Sequence, residues 1–125
     1  MNRRIWVEDE KNYFSDTEIQ CPCCGYSLVQ RDFLGKMNEA RKIAGIPFKI
    51  NSWCRCTTHN ASVGGKVDSE HVNGYGADIE ATTSRQRGII LAALREAGIN
   101  RIGIAKTFIH AGGSMNKDRD VTWLY

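Results

Sequence analysis

No run of apolar residues in this chain approaches the roughly 18 that a membrane-spanning helix requires, so no span and no membrane partner are expected. The first ten residues, Met1 to Glu10, lack the apolar core of a secretory signal. The chain is therefore expected to be made in the cytoplasm and to need a separate route to any work outside it. Net charge is also scarce. It is +3 at pH 7, with Lys and Arg scattered rather than gathered into a stripe, so nucleic acid is not an expected partner. A mild positive balance favours at most adsorption to an anionic polymer such as a cell wall. Internal repeats and low-complexity segments are absent. What remains is ordinary: 125 residues, 42% hydrophobic and 25% charged, the size and composition of one compact domain with a modest core. Residues 1–125 are expected to form that domain, with 1–12 as an N-terminal extension, and to act as a monomer.

Local patterns give the elements. Ser15-Asp16-Thr17-Glu18 has the form of a capping box opening a short helical turn. Over 32–44, Phe33, Leu34, Met37, Ala40 and Ile43 recur at helical spacing, with Asp32 as the expected cap and Gly45 and Pro47 as the stop. Phe48 to Trp53 alternates apolar and polar residues, the period of a half-buried strand. Residues 54–75 show no periodicity and are expected to form a long loop of the kind that carries function. A strand at 77–81 follows, then a helix from a Ser84 cap to Ala97, stopped by Gly98. Short strands are expected at 101–105, 107–111 and 121–124. The implied fold class is α+β, with helices packed on a small, largely antiparallel sheet.

The five cysteines cannot all pair within one chain. They fall in two groups, Cys21-Pro22-Cys23-Cys24 and Cys54-Arg55-Cys56, and only Cys21 and Cys24 have CxxC spacing. Reduced thiols, some buried as small apolar side chains, are the expected state. The alternative is a structural zinc or a cross-link stapling the first group to the second.

The segment Ser69-Glu70-His71-Val72-Asn73-Gly74-Tyr75-Gly76-Ala77-Asp78 sets an imidazole and a carboxylate seven residues apart, with glycines between them. A later apolar segment, Thr107-Phe108-Ile109-His110, supplies a second imidazole. Two histidines and a carboxylate are a common ligand set for a catalytic zinc that keeps one position open for water.

Ile50-Asn51-Ser52-Trp53-Cys54-Arg55, His59-Asn60, Val63-Gly64-Gly65 and Ser69-x-His71-x-x-Gly74-x-Gly76-x-Asp78 occur in that order. Arg101-Ile102-Gly103-Ile104, Phe108-Ile109-His110 and Trp123-Leu124-Tyr125 follow, with Tyr13-Phe14-Ser15 and Glu18 upstream. Together these resemble the D-Ala-D-Ala carboxypeptidase-type zinc peptidases, which share a fold with the hedgehog signalling domain, and in particular their small phage- and bacteria-associated branch. The usual family text is S-x-H-x-x-G-x-A-x-D, so Gly76 here takes the place of an alanine.

The resemblance implies Zn2+ held by His71, Asp78 and His110, and activity on the stem peptides of peptidoglycan at the bacterial cell wall. It implies that Arg55 binds a substrate carboxylate through its planar guanidinium, and that Ser69 orients the loop or touches the peptide. It also implies either a D,D-carboxypeptidase or an L-alanyl–D-glutamate endopeptidase, in the manner of a phage lysis enzyme.

Two further places depart from the family pattern. The acid that many relatives carry three residues before the last histidine is Thr107 here, and the acid of the H-V-D form is Gly112. Asp68, Glu70, Asp118 and Asp120 are the neighbouring carboxylates, and none occupies a motif position. Glu70, next to a ligand on an extended segment, is expected to point away from the site. No catalytic base is therefore assigned. The rival reading is a zinc-binding wall-recognition or virion module that has lost hydrolysis. A third is an interaction protein built on the cysteines. His59 is expected on a loop. Trp123 and Tyr125 are expected either to shape the groove or to anchor a terminal strand.

Overall fold

The computed structural model describes residues 11–125. Most of the expected 1–12 extension lies outside the described residues. The elements run α1 (Asp16–Ile19), α2 (Arg31–Ala44), β1 (Ile50–Ser52), α3 (Thr57–Ser62), β2 (Gly76–Glu80), α4 (Ser84–Glu96), β3 (Arg101–Ile104), β4 (Phe108–Gly112) and β5 (Val121–Leu124). The five strands form one sheet in the order β1-β2-β4-β3-β5. The three pairs from β1 to β3 are antiparallel, and β5 joins β3 in parallel. The fold is α+β, with a mixed and mostly antiparallel sheet, as expected.

Helix boundaries follow local chemistry. Ser15 caps α1 in a complete capping box with Glu18, and Gly45 ends α2 in the left-handed region at φ 68. The expected cap of α2 moves by two residues. Gln30 stands at the N-cap without a side-chain capping bond, its amide donating to the Asn73 carbonyl instead, and Asp32 lies in the first turn, where its carboxylate accepts the Phe33 N–H. That position also places its negative charge at the positive end of the helix dipole. For α4 the cap is Thr83 rather than Ser84, because Gln86 stands three residues after Thr83 and completes the reciprocal box.

The expected strand at 48–53 contracts to Ile50–Ser52, and Phe48 and Trp53 turn into the core instead. The long loop 54–75 is broken by α3. Six residues are too few to show helical periodicity, and this turn is started by a sulfur, since Cys56 Sγ accepts the His59 N–H at 3.3 Å. His59 is therefore helical.

Helices α2 and α4 pack on each other. The core they share with the sheet contains Phe33, Met37, Trp53, Ile79, Ile90, Leu94, Ile102 and Ile109, all about fully buried. Phe14 and Phe33 meet the Trp53 ring edge-on at 5.2 and 5.6 Å. Burying this apolar surface is the main force holding the sheet to the helices. It leaves the opposite sheet face free to carry polar groups. Among the described residues, no helix is long and apolar enough to cross a membrane.

Candidate metal centre and its cleft

Ladder register places the site. Ser52 pairs with Asp78, Asp78 with His110, His110 with Gly103, and Gly103 with Trp123, making one row across all five strands. Directly opposed residues present their side chains on the same face. Gly103 is the gap in that row. A Cβ there would meet Trp123 Nε1 at 2.5 Å, so its absence lets the indole lie 5.6 Å from the His110 ring. Trp123 thus shapes the groove, and Tyr125 lines it as well while remaining largely exposed.

His71 comes from outside the sheet, on the turns that lead into β2. Its N–H donates to Ser69 Oγ at 3.2 Å and its carbonyl accepts the Arg55 N–H at 3.1 Å, so Ser69 orients this loop. The loop is pinned further on at Gly74. There φ is +76, and any Cβ would run into the Leu28 carbonyl at 1.4 Å.

His71 Nε2 lies 3.2 Å and His110 Nδ1 lies 2.9 Å from the same oxygen, Asp78 Oδ1. All three residues are buried. The other nitrogen of each ring is also engaged, His71 Nδ1 with the Trp53 carbonyl at 2.7 Å and His110 Nε2 with Glu70 Oε1 at 3.0 Å. A carbonyl can only accept, so His71 carries its proton on Nδ1. Glu70 favours the same arrangement on His110 Nε2. In the neutral rings, two lone pairs then face a carboxylate oxygen at hydrogen-bond distance, an arrangement that a bound cation satisfies, as a proton on either ring also does. One divalent ion satisfies all three donors, and outer acceptors on both imidazoles are the usual companions of metal-bound histidine. The donor set fits a metal, and one nitrogen or oxygen from each of the three residues lies within 4.8 Å of the others.

Charge is balanced around this centre. Burial would push Asp78 upward, but hydrogen bonds and charge from His110 and His71 outweigh it and hold its carboxyl far below the usual range. Burial likewise opposes ionisation of Glu70, while His110, the Ser114 N–H and Arg101 lower its pKa overall. For His110, desolvation disfavours the charged ring, yet Asp78 and Glu70 together raise its pKa.

Glu70 corrects the expectation that it points away. Residues 70–74 form turns rather than an extended segment, so strict alternation does not apply, and its carboxylate is buried in the site. Oε2 accepts from Arg101 Nε and from the Ser114 N–H, each at 3.0 Å. Two of the departures from the family pattern, at Gly76 and Gly112, meet at this residue. A Cβ at Gly112 would lie 2.3 Å from Glu70 Oε1, so the carboxylate fills the room an acid at 112 would use. A Cβ at Gly76 would lie 2.9 Å from both Glu70 Cβ and His110 Cε1. Glycine at 76 and 112 and glutamate at 70 therefore form one linked arrangement. Thr107, Asp118 and Asp120 are exposed and do not line the cleft, although the Asp118 carbonyl accepts from Arg101, while Asp68 pairs with Lys117 at its rim.

The cleft over this centre has a volume of about 660 Å³. Arg55 forms part of its wall. Its Nη2 lies 3.6 Å from Asp78 Oδ2, Nε donates to Ser52 Oγ and Nη1 to Asn60 Oδ1. His59 does not line it. Sequence reasoning brought together His71, Asp78, His110, Arg55 and Ser69, and the structure gathers all five. It missed Glu70, Arg101, Ser114 and the Trp53 carbonyl. The absence of an acid at Gly112 was the one signal that could have pointed to Glu70.

No curated protein matches the chain. The sequence model of the peptidase M15 family, however, matches residues 12–112, a stretch that contains the three candidate ligands and the whole β2–β4 ladder carrying two of them. The chain belongs to the peptidase M15 family.

Proposed function

We propose that this chain is a zinc-dependent peptidase that hydrolyses amide bonds in peptidoglycan stem peptides, of D,D-carboxypeptidase or L-alanyl–D-glutamate endopeptidase type. The observation that carries the reading is the convergence of His71 Nε2 and His110 Nδ1 on Asp78 at the floor of an open cleft. An ion held by these three residues supplies Lewis acidity toward an amide carbonyl and lowers the pKa of water.

The chain's own groups do the rest. The Trp53 carbonyl and Glu70 Oε1 hold the outer imidazole protons, fixing both rings in the tautomer that points a lone pair inward. Four cations line the cleft against three carboxylates, with Arg55 paired to Asp78, Arg101 to Glu70 and Lys117 to Asp68, so Lys66 adds the one excess positive charge toward a peptide that carries free carboxylates. Arg55 offers the planar fork for one such carboxylate. Trp123, Tyr125 and Phe108 give the opposite wall an aromatic surface for the peptide backbone and its alanine methyls.

A specific observation supports a second reading, a zinc-binding wall module without hydrolysis. Both oxygens of Glu70 are committed to His110, Arg101 and Ser114, and positions 107 and 112 hold no acid. One experiment separates the two. Zinc-loaded wild type is incubated with purified peptidoglycan, new amino groups are counted, and His71→Ala serves as the control. Release by wild type alone supports the peptidase. Retention on the polymer without release supports the module.

A further inference from the structure

The two cysteine groups lie far apart in sequence but meet in space. Cys21 N–H donates to the Tyr26 carbonyl at 2.7 Å and Gly25 N–H to the Cys21 carbonyl at 2.9 Å, closing a tight loop with Gly25 at φ 77. That loop turns Cys21, Cys23 and Cys24 toward one point. Cys56, at the start of α3, reaches the same point from the other side. The sulfur separations are 3.5 Å for Cys21–Cys23, 3.9 Å for Cys21–Cys56 and 3.4 Å for Cys23–Cys56. All four sulfurs, Cys24 included, lie within 4.8 Å of one another.

These distances discriminate between states. A disulfide requires about 2.05 Å between sulfurs. A tetrahedral zinc with Zn–S bonds of ~2.3 Å sets its sulfurs about 3.8 Å apart. The observed spacings fit the second value. Packing accounts for Cys21, which is fully buried, but not for the cluster, because Cys23 and Cys24 are exposed. Thiol hydrogen bonds are too weak to hold two loops together. The fifth cysteine, Cys54, is buried in the core apart from this group, which accounts for the odd count.

We propose that Cys21, Cys23, Cys24 and Cys56 bind a second metal ion, a closed four-thiolate zinc site of structural type, separate from the His71–Asp78–His110 centre. Binding releases the thiol protons to solvent and forms four sulfur–metal bonds, with no redox change. The ion ties the turn after α1 to the first residue before α3. Arg55 is the immediate neighbour of Cys56, and Val63 to Lys66, just past α3, wall the cleft. The thiol site thus fixes one side of the groove without contributing to its chemistry.

The test uses the full chain, purified with zinc and without reductant at the assay stage. A mercurial thiol reagent is titrated against wild type while released zinc is followed with a chromogenic chelator. Release of bound zinc in step with thiol modification, retained in His71→Ala, is the expected result. Cobalt-loaded wild type and His71→Ala should both show thiolate-to-cobalt charge transfer in the near ultraviolet, and Cys56→Ser should lose it. Zinc that resists the mercurial and disappears in His71→Ala overturns the proposal. So does an intact mass lacking two hydrogens under non-reducing conditions, which would mean a disulfide. The wild-type titration decides the matter even if Cys56→Ser fails to fold.

Discussion

Two clusters of metal-capable side chains stand in this molecule, and they are built in opposite ways. Asp78 and His110 are opposed residues on the paired strands β2 and β4, so backbone hydrogen bonds set their separation before any ion arrives. The four thiols sit on a turn and at the start of a six-residue helix, with two of them exposed. Cys21 is anchored by burial, but the turn at 21–25 alone carries Cys23 and Cys24. A site on a ladder is preorganised by the fold, whereas a site on loops draws its order from the ion it binds. The buried site is therefore suited to chemistry and the exposed one to structure.

The sharpest way to break this comparison is to remove metal. Stripping the ladder site, by His110→Ala, is expected to reduce hydrolysis to the uncatalysed background while the melting transition stays cooperative. Stripping the thiol site from wild type is expected to loosen residues 20–26 and 56–66, read as faster amide hydrogen exchange there than in β2 and β4. Equal loosening of both regions would show that the ladder is not self-sufficient.

A smaller effect tests the linked change at 70, 76 and 112. Glu70→Ala removes the acceptor for His110 Nε2 and should weaken metal binding at the ladder site by roughly 10- to 100-fold, the usual cost of losing an outer-shell partner. Gly112→Asp alone forces a side chain into space that Glu70 occupies and should destabilise the fold by about 1–3 kcal/mol, as overpacking does. It is a poor way to restore an acid. Combined in one chain, the two changes should recover part of both losses, because the carboxylate introduced at position 112 then has room beside His110 and Arg101. Additive losses in the double variant, measured by zinc competition and thermal melting, would break the link.

How much of this was legible in the sequence divides along the same line. The ladder residues were readable because strands and short motifs leave local traces: glycines around His71, the apolar segment leading to His110, and a capping box at Ser15 that opens the first helix, whereas the box at Thr83 was placed one residue late, at Ser84. Glu70 was misjudged because its orientation depends on the turns at 70–74, and turn geometry overrides the alternation rule. The Trp53 carbonyl left no trace, since a backbone acceptor is common to every residue. The thiol cluster was half visible. Cysteine counting flagged it, but the spacing C-x-C-C does not resemble a zinc ribbon, and only the folded chain brings Cys56 within reach of the turn at 21–25. Helix α3 was missed for a related reason, because its first turn is capped by a sulfur rather than by an oxygen side chain.

Arg55 lies at the seam between the two regions, one residue from a thiol and 3.6 Å from a carboxylate of the ladder site, and its replacement should have the smallest effect. Arg55→Lys keeps the positive charge near Asp78 but removes the planar fork and the bonds to Ser52 and Asn60. If Arg55 receives a substrate carboxylate, KM for a short stem peptide should rise about tenfold, equivalent to ~1.4 kcal/mol, with kcat nearly unchanged. If it serves only as the ion-pair partner of Asp78, the loss should fall on zinc affinity, and KM measured at saturating zinc should not move. A peptide amidated at its terminal carboxylate gives the second half of the test. A carboxylate-binding arginine makes wild type discriminate against the amide and the lysine variant less so, whereas a purely structural arginine leaves the ratio of the two substrates the same in both proteins.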